Sequence, residues 1–304
     1  MTIDSMSFGA DLPGADADAT LAQAGVGRSL GQDAWRRFRR NRLAMFGLGI
    51  VVFLLLVAVI GPFLVQDPTS YSKRVFLEPP TNQHPFGVDR RGGDVLANVV
   101  HGIRLSLFIG LLATMLETVI GVVVGAVAGW FGRWTDAFIM RFVDIMLGIP
   151  YILLAYAFIT VLGKGVAAVV LTLALTAWLQ TARTVRAGFL QARELEYVEA
   201  ARALGVPSRR IMWRHILPNV FQPVVVLIAV GVGSAILSEA ALSFLGVGVP
   251  FPQPSLGRMI DEFSSDFPRA PYLLVFPGAA IMLSVLGFLL VGDGLRDALD
   301  VKDV

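Results

Sequence analysis

An all-α integral membrane protein of about six transmembrane helices is predicted by three observations. First, the 304 residues are 55% hydrophobic and only 16% charged, with a mean hydropathy of +0.69, whereas soluble domains carry roughly 25% charged residues. Second, the apolar residues gather into six runs, most of about the twenty helical residues that a bilayer core requires, and in hydrocarbon an unpaired segment must satisfy its backbone internally as a helix. Third, the basic residues fall mainly between those runs, with a bias that orients the chain.

Residues 1–34 are rich in Gly, Ala and Asp without apolar periodicity and read as a flexible cytoplasmic tail, not a signal peptide. Trp35-Arg36-Arg37-Phe38-Arg39-Arg40-Asn41-Arg42 follows, directly against the uncharged run Leu43 to Val65. Residues 35–104 thus comprise a basic segment, the first span and an external loop. The other runs cover 105–130, 137–162, 165–182, 220–243 and 272–292, within a membrane core of 105–294, and 295–304 form a C-terminus on the starting side. Of the 25 Lys and Arg, sixteen fall in the segments this topology places inside, eight outside and Arg141 within a span. The bias places both termini in the cytoplasm. Gly121, Gly125 and Gly129 repeat every fourth position of the second span, which puts a small residue on one face for close packing of another helix.

Composition excludes several chemistries. A net charge of +2 and a pI near 9.1 reflect the basic loops and do not point to nucleic acid. Without cysteine there is no disulfide, thiolate metal site or thiol nucleophile. The three histidines, His84, His101 and His215, are scattered outside the spans, which argues against a metal site or a membrane-embedded hydrolase. An ion-coupled secondary transporter would carry symmetry between its halves, and none is visible.

The stretch 194–219, between the fourth and fifth spans, is too long for a simple turn. Ala-rich helix formers run to Leu204; Gly205 suits the left-handed position after a helix, Pro207 suits the first turn of another, and Leu217-Pro218-Asn219 is expected to break that second helix. The result is a basic helical elbow. Small Ala200 and Ala201 beside Glu199 suit docking into a partner's groove; an amphipathic loop lying on anionic lipid is the other reading.

The elbow resembles the coupling signature of bacterial ABC import permeases: Glu-Ala-Ala, three residues, Gly, nine residues, then Ile-x-Leu-Pro. Glu199, Ala200, Ala201 and Gly205 match it, Leu217-Pro218 falls at the right distance, and His215 stands in the Ile position as in the dipeptide, oligopeptide and nickel branch. Further likeness to the second, C-type, permease of that branch runs through Asn41-Arg42-Leu43-Ala44-Met45, Gly102-Ile103-Arg104-Leu105-Ser106-Leu107, Arg141-Phe142-Val143-Asp144, Glu239-Ala240-Ala241-Leu242-Ser243-Phe244-Leu245-Gly246 and Gly292-Asp293-Gly294-Leu295-Arg296-Asp297. Val88, Gly93, Leu256 and Arg258 depart from it, all on the external side.

The resemblance implies a type I ABC importer permease fold and import of dipeptides or oligopeptides, with nickel chelates, glutathione or haem as alternatives. It further implies a second homologous permease, two ATP-binding subunits, an extracytoplasmic solute-binding protein and a cell-membrane location. No cofactor is expected in this chain; ATP and magnesium belong to the partner subunits, since Gly163-Lys164-Gly165 lacks the rest of a phosphate-binding loop. Glu199, Ala200, Ala201, Gly205, His215 and Pro218 would couple to the ATPase. Carboxylates at membrane depth are candidates for the pathway or for buried polar contacts. Glu117 could line the pathway, contacting a peptide amine, or lie hydrogen-bonded in the bundle; Asp144 is expected to pair with Arg141 on its own helix; Glu239 could meet substrate or the partner permease.

Overall fold

The computed structural model describes residues 30–71 and 75–300. Ten helices account for most of it: α1 (Leu30–Arg40), α2 (Arg42–Ile60), α3 (Val95–Phe131), α4 (Arg133–Leu147), α5 (Tyr151–Leu162), α6 (Val166–Arg193), α7 (Glu196–Ala203), α8 (Leu217–Phe244), α9 (Leu256–Phe263) and α10 (Tyr272–Leu299). Short helical turns at Gly61–Phe63, Ser208–Arg210 and Ser264–Asp266 and a π-helical segment at Ile211–Ile216 link them. Among the described residues, β-structure is limited to two isolated bridges, Tyr71 to Gly93 and Val88 to Asp94.

Close approaches at small residues set the directions of α2, α3, α6, α8 and α10. Gly121 meets Thr181, Gly125 meets Ala182 and Gly129 meets Phe189, so α3 and α6 run parallel. Gly110 faces Ile236 and Gly231 faces Glu117, which makes α8 antiparallel to α3. Gly292 meets Val230, while Gly294, Gly287 and Gly47 meet Ala44, Ile50 and Leu290; α10 therefore runs against both α8 and α2. Because α3 and α6 are parallel, the chain between them must recross. It does so as α4 and α5, which are bent by 98° to each other and pack along α6 from Val143 against Trp178 and Leu179 at one end to Ala155 and Ile159 against Val169 and Leu173 at the other. Six crossings result, and α1 and the end of α10 lie at the same end of the bundle as the elbow.

The third apolar run, expected as one helix over 137–162, is thus a broken crossing. Pro150 has no amide hydrogen and disfavours helical geometry at Ile149, so α4 stops at Gly148 and α5 restarts after the proline. Other boundaries move outward. Asp94 caps the first turn of α3, accepting from Ala97 N at 3.0 Å, so residues 95–104, expected in a loop, are helical. The α6 helix continues to Arg193 rather than ending near 182, and α10 runs through Leu299, into the segment assigned to the C-terminus. Helix also begins at Leu30, inside the segment expected to be flexible; residues 1–29 lie outside the described residues.

Polar ends stop and start these helices. Asn41 Oδ1 accepts from Leu43 N at 3.0 Å and from Ala44 N at 3.1 Å, capping α2 where the chain leaves α1. The α3–α6 seam is a long, close contact: a Cβ at Gly125 would stand 2.4 Å from the carbonyl oxygen of Ala182. Lipid gives helices no hydrophobic reason to associate, so such backbone proximity supplies the packing that holds them.

Gly125→Val should therefore destabilise the bundle by about 2–3 kcal/mol through overpacking, read as a lowered thermal midpoint in detergent. Gly49→Ala, where a Cβ meets nothing within 4 Å, should be neutral or slightly stabilising.

Candidate functional site

The elbow is two-sided. Its inner face, Val198, Ile211 and Ile216, is buried against Phe189 and Trp130 at the ends of α6 and α3, and the Arg202 guanidinium lies 4.6 Å over the Trp130 ring. Its outer face exposes Glu199 and Ala200 with Tyr197, Leu204 and Trp213; Ala201 is half-buried against the base. Large apolar side chains left in water around two small residues form a knob without a hole among the described residues.

Gly205 shapes the turn. Val206 N donates to Ala201 O at 3.0 Å and Gly205 N to Arg202 O at 2.9 Å, the paired bonds of a helix ending in a left-handed residue, and Gly205 has φ +74°. A Cβ there meets nothing within 4 Å. Backbone conformation alone therefore selects glycine.

Pro218 does not break the second elbow helix as the sequence reading expected. It occupies the first turn of α8, where its missing N–H costs little, and the π-helical segment before it keeps the path continuous, with Leu217 N donating to Met212 O. His215 sits in this segment, its carbonyl accepting from Asn219 Nδ2 at 2.9 Å. The elbow is thereby joined to α8 without a loop between them.

The membrane-depth carboxylates have three different fates. Asp144 pairs with Arg183 of α6 and not with Arg141, and two turns earlier on α4 Asp136 takes a two-pronged contact from Arg186, with Arg186 Nη2 2.6 Å from Asp136 Oδ2. Neither cross-helix pair was visible from local spacing, because the partner residues on α6 follow in the chain only after the break at Pro150 and all of α5. Glu239 is fully buried, accepting from Ser243 Oγ at 2.7 Å and Ser106 Oγ at 3.0 Å, while Ser255 Oγ lies 3.4 Å from Ser243 Oγ. It ties α3 to α8, and through Ser255 reaches α9. Glu117 instead lines a cavity of ≈ 330 Å³ between α3, α5, α6 and α8, with Tyr151, Gln180, Thr181, Ser234 and Ser238. Gly231 opposite leaves it room, since a Cβ there would be 3.0 Å from Glu117 Oε1.

At the end away from the elbow, Glu262 of α9 serves both Arg91 at 3.1 Å and Arg258 at 3.6 Å, and both guanidiniums lie over the exposed Phe251 ring. Burial pushes the Arg258 guanidinium down from its ordinary value. Burial likewise raises the Asp89 carboxyl, against the backbone N–H groups of Gly93 and Arg91 that hold it. A Cβ at Gly93 would fall 2.6 Å from Asp89 Oδ2, which explains why glycine stands where the resemblance leads one to expect arginine. Among the described residues no group of three or more His, Asp or Glu is arranged to hold a metal ion.

The elbow, buried on one side and open on the other at the end of a six-crossing bundle, agrees with what comparison finds. Residues 121–302 match the family described as the binding-protein-dependent transport system inner membrane component, and residues 29–85 match the N-terminal transmembrane domain of oligopeptide transport permease C. The chain belongs to this family of ABC importer permeases. It is 40% identical to the dipeptide transport system permease protein of Alkalihalophilus pseudofirmus, over 89% of this chain and 90% of the relative. It is 44% identical to the glutathione transport system permease protein of Salmonella typhimurium, again over 89% and 90%. The inward-facing MetNI methionine ABC transporter contains a chain that superposes with a TM-score of 0.55 at 20% identity, covering 66% of this permease and 95% of that chain; this likeness concerns the fold. The resemblance read from the elbow and the helical permease fold it implied are thus borne out.

Two outcomes follow for the permease. Gly205→Asn should be tolerated, because asparagine adopts left-handed geometry, whereas Gly205→Val should cost about 1–2 kcal/mol locally; faster proteolysis at the elbow in the valine variant alone checks this. Glu239→Ala should leave buried serine hydroxyls unmatched and cost about 1–3 kcal/mol for each, with Glu239→Gln retaining most of the stability in a thermal melt.

Proposed function

We propose that this permease forms half of an ATP-driven import pathway for dipeptides and related short peptides, glutathione included, with its elbow end in the cytoplasm. The observation that carries this reading is the two-sided elbow. Glu199, Ala200 and Leu204 face outward for insertion into a groove of an ATP-binding subunit, while Val198, Arg202 and Ile211 lock the same helices onto α3 and α6. Closure of two such subunits on ATP and magnesium would push the elbow, and the continuous path from Ser208 into α8 would carry that push to the spans. Ala201, Gly205, His215 and Pro218 serve the shape of this lever more than its surface.

Two permeases side by side would enclose the pathway, and a solute-binding protein would deliver cargo at the other end. The cavity holding Glu117 is its local wall. A carboxylate among hydroxyl and amide groups suits the α-ammonium of a short peptide, and the relatives are named for dipeptide and glutathione transport. Asp144 and Glu239 are assigned a holding role, the first by its pair with Arg183 and the second by its serines.

Purification of the tagged chain from its own cell membranes in mild detergent should recover an ATP-binding subunit and a second permease; their absence overturns the proposal. Glu199→Lys should leave membrane insertion intact while dipeptide uptake falls by on the order of ten-fold or more, the scale of a lost buried charge contact. Unchanged uptake would remove the elbow from the mechanism.

A further inference from the structure

The α1 helix is amphipathic in an unusual sense. Phe38 is only 3% exposed, packed with Ala44 and Ala298. On the other side Arg36, Arg39 and Arg40 are exposed, with Trp35 exposed at the border between the two sides, and the basic side is continued by Arg42 and Leu43 at the start of α2. Spacings of three and four place Trp35, Arg36, Arg39 and Arg40 on one helical face. Their own helix offers little neutralisation, its one acidic residue being Asp33. Among the described residues no acidic side chain pairs with Arg36, Arg39, Arg40 or Arg42. Asp297, across the junction, is engaged by Asn41 Nδ2 at 3.2 Å.

Position supplies the second observation. The chain turns at Asn41, whose backbone is extended (φ −78°, ψ 108°), and enters the most apolar span of the protein. The arginines are therefore held where hydrocarbon gives way to water. Trp35, 54% exposed and stacked on Phe38 with centroids 5.8 Å apart, is a residue type favoured at that level. The pose is also fixed from within. Arg37, the inward-turned arginine, donates to Asp300 O at 3.2 Å, and Phe38 lies against α10, where a Cβ at Gly294 would come within 3.0 Å of its ring.

We propose that the Trp35, Arg36, Arg39 and Arg40 face of α1 binds the phosphate headgroups of anionic phospholipids in the leaflet at the elbow end. The chemistry is that of a juxtamembrane polybasic surface: guanidiniums fork onto phosphate oxygens, the tryptophan ring sits among the glycerol backbones, and Phe38 anchors the helix to the protein. Pre-organisation by α10 distinguishes it from a loose basic tail, because the charges are presented without ordering a segment at the moment of binding. The surface is separate from the elbow and from the Glu117 cavity, so it stands whether or not the proposed cargo is right.

The absence of cysteine makes a clean test available. The full chain with Gln32→Cys, at an exposed position beside this face, is labelled with an environment-sensitive fluorophore. It is reconstituted with its co-purifying subunits into phosphatidylcholine vesicles containing phosphatidylglycerol, with one or the other lipid brominated. Each arginine near an anionic surface should contribute about five-fold. Quenching by brominated phosphatidylglycerol should exceed its share of the lipid, weaken with added salt, and drop by on the order of a hundred-fold in preference when Arg36, Arg39 and Arg40 are all changed to Gln.

Equal quenching by the two lipids, or an unchanged preference in the triple variant, overturns the proposal. So does a preference seen only after removal of residues 2–28, whose four aspartates would then be the occupant, or only after the ATP-binding subunits are stripped away. The substituted arginines point away from the core, so the variant should fold; an unchanged thermal midpoint, checked alongside, separates lost lipid binding from lost structure.

Discussion

The parallel seam between α3 and α6 is the contact on which the remaining architecture depends. Three glycines a turn apart let the two backbones approach until the carbonyl of Ala182 and the side chains of Thr181 and Phe189 fill the space their Cβ atoms would take. In lipid, apolar side chains gain nothing by leaving one apolar neighbour for another, so close main-chain approach carries the association. Parallel neighbours then impose topology. The chain leaving α3 must cross back before α6 can begin, and the bent α4–α5 pair does this along the flank of α6. The same seam ends with Trp130 and Phe189 side by side, the floor on which the elbow rests.

Charge is handled differently at each depth. Near the elbow end, Asp144 and Asp136 meet Arg183 and Arg186 across the α4–α6 contact, which holds the first half of the broken crossing in place where its own helix is too short to do so alone. Toward the far end, Glu239 accepts hydroxyl donors from two helices and is closed off. An unmatched buried group of this kind costs several kcal/mol in hydrocarbon, so the serines are as much a part of that site as the carboxylate. Between these levels Glu117 faces a cavity instead. Three acids that looked alike in sequence thus serve to pair, to knot and to line.

Much of this was legible beforehand for physical reasons that act locally. Hydropathy located the crossings, because a helix in lipid needs length and little else. The glycine repeat announced a close contact, and Gly205 announced a left-handed turn, which the φ of +74° bears out. Proline was read less well, in both directions. At Pro150 the run was apolar enough to pass for one straight helix, yet the ring and the restriction on Ile149 bend it by 98°. At Pro218 a break was expected, yet its place in a first turn, after a π-helical segment, lets the helix continue. What a proline does depends on whether the amide it lacks was needed, and that is settled by the neighbouring turns.

The sequence by itself determined the helical membrane class, the approximate crossings, the elbow and its resemblance to the permease family, since each of these rests on residues adjacent along the chain or one helical turn apart. Only the tertiary structure decided which partner each buried acid takes, that the third crossing is broken, and that α1 turns Phe38 inward and its arginines outward. Those outcomes depend on which helices meet and in what register. Asp144 chose Arg183, 39 residues away, over Arg141 on its own helix, because the α3–α6 seam places α6 where α4 must pass.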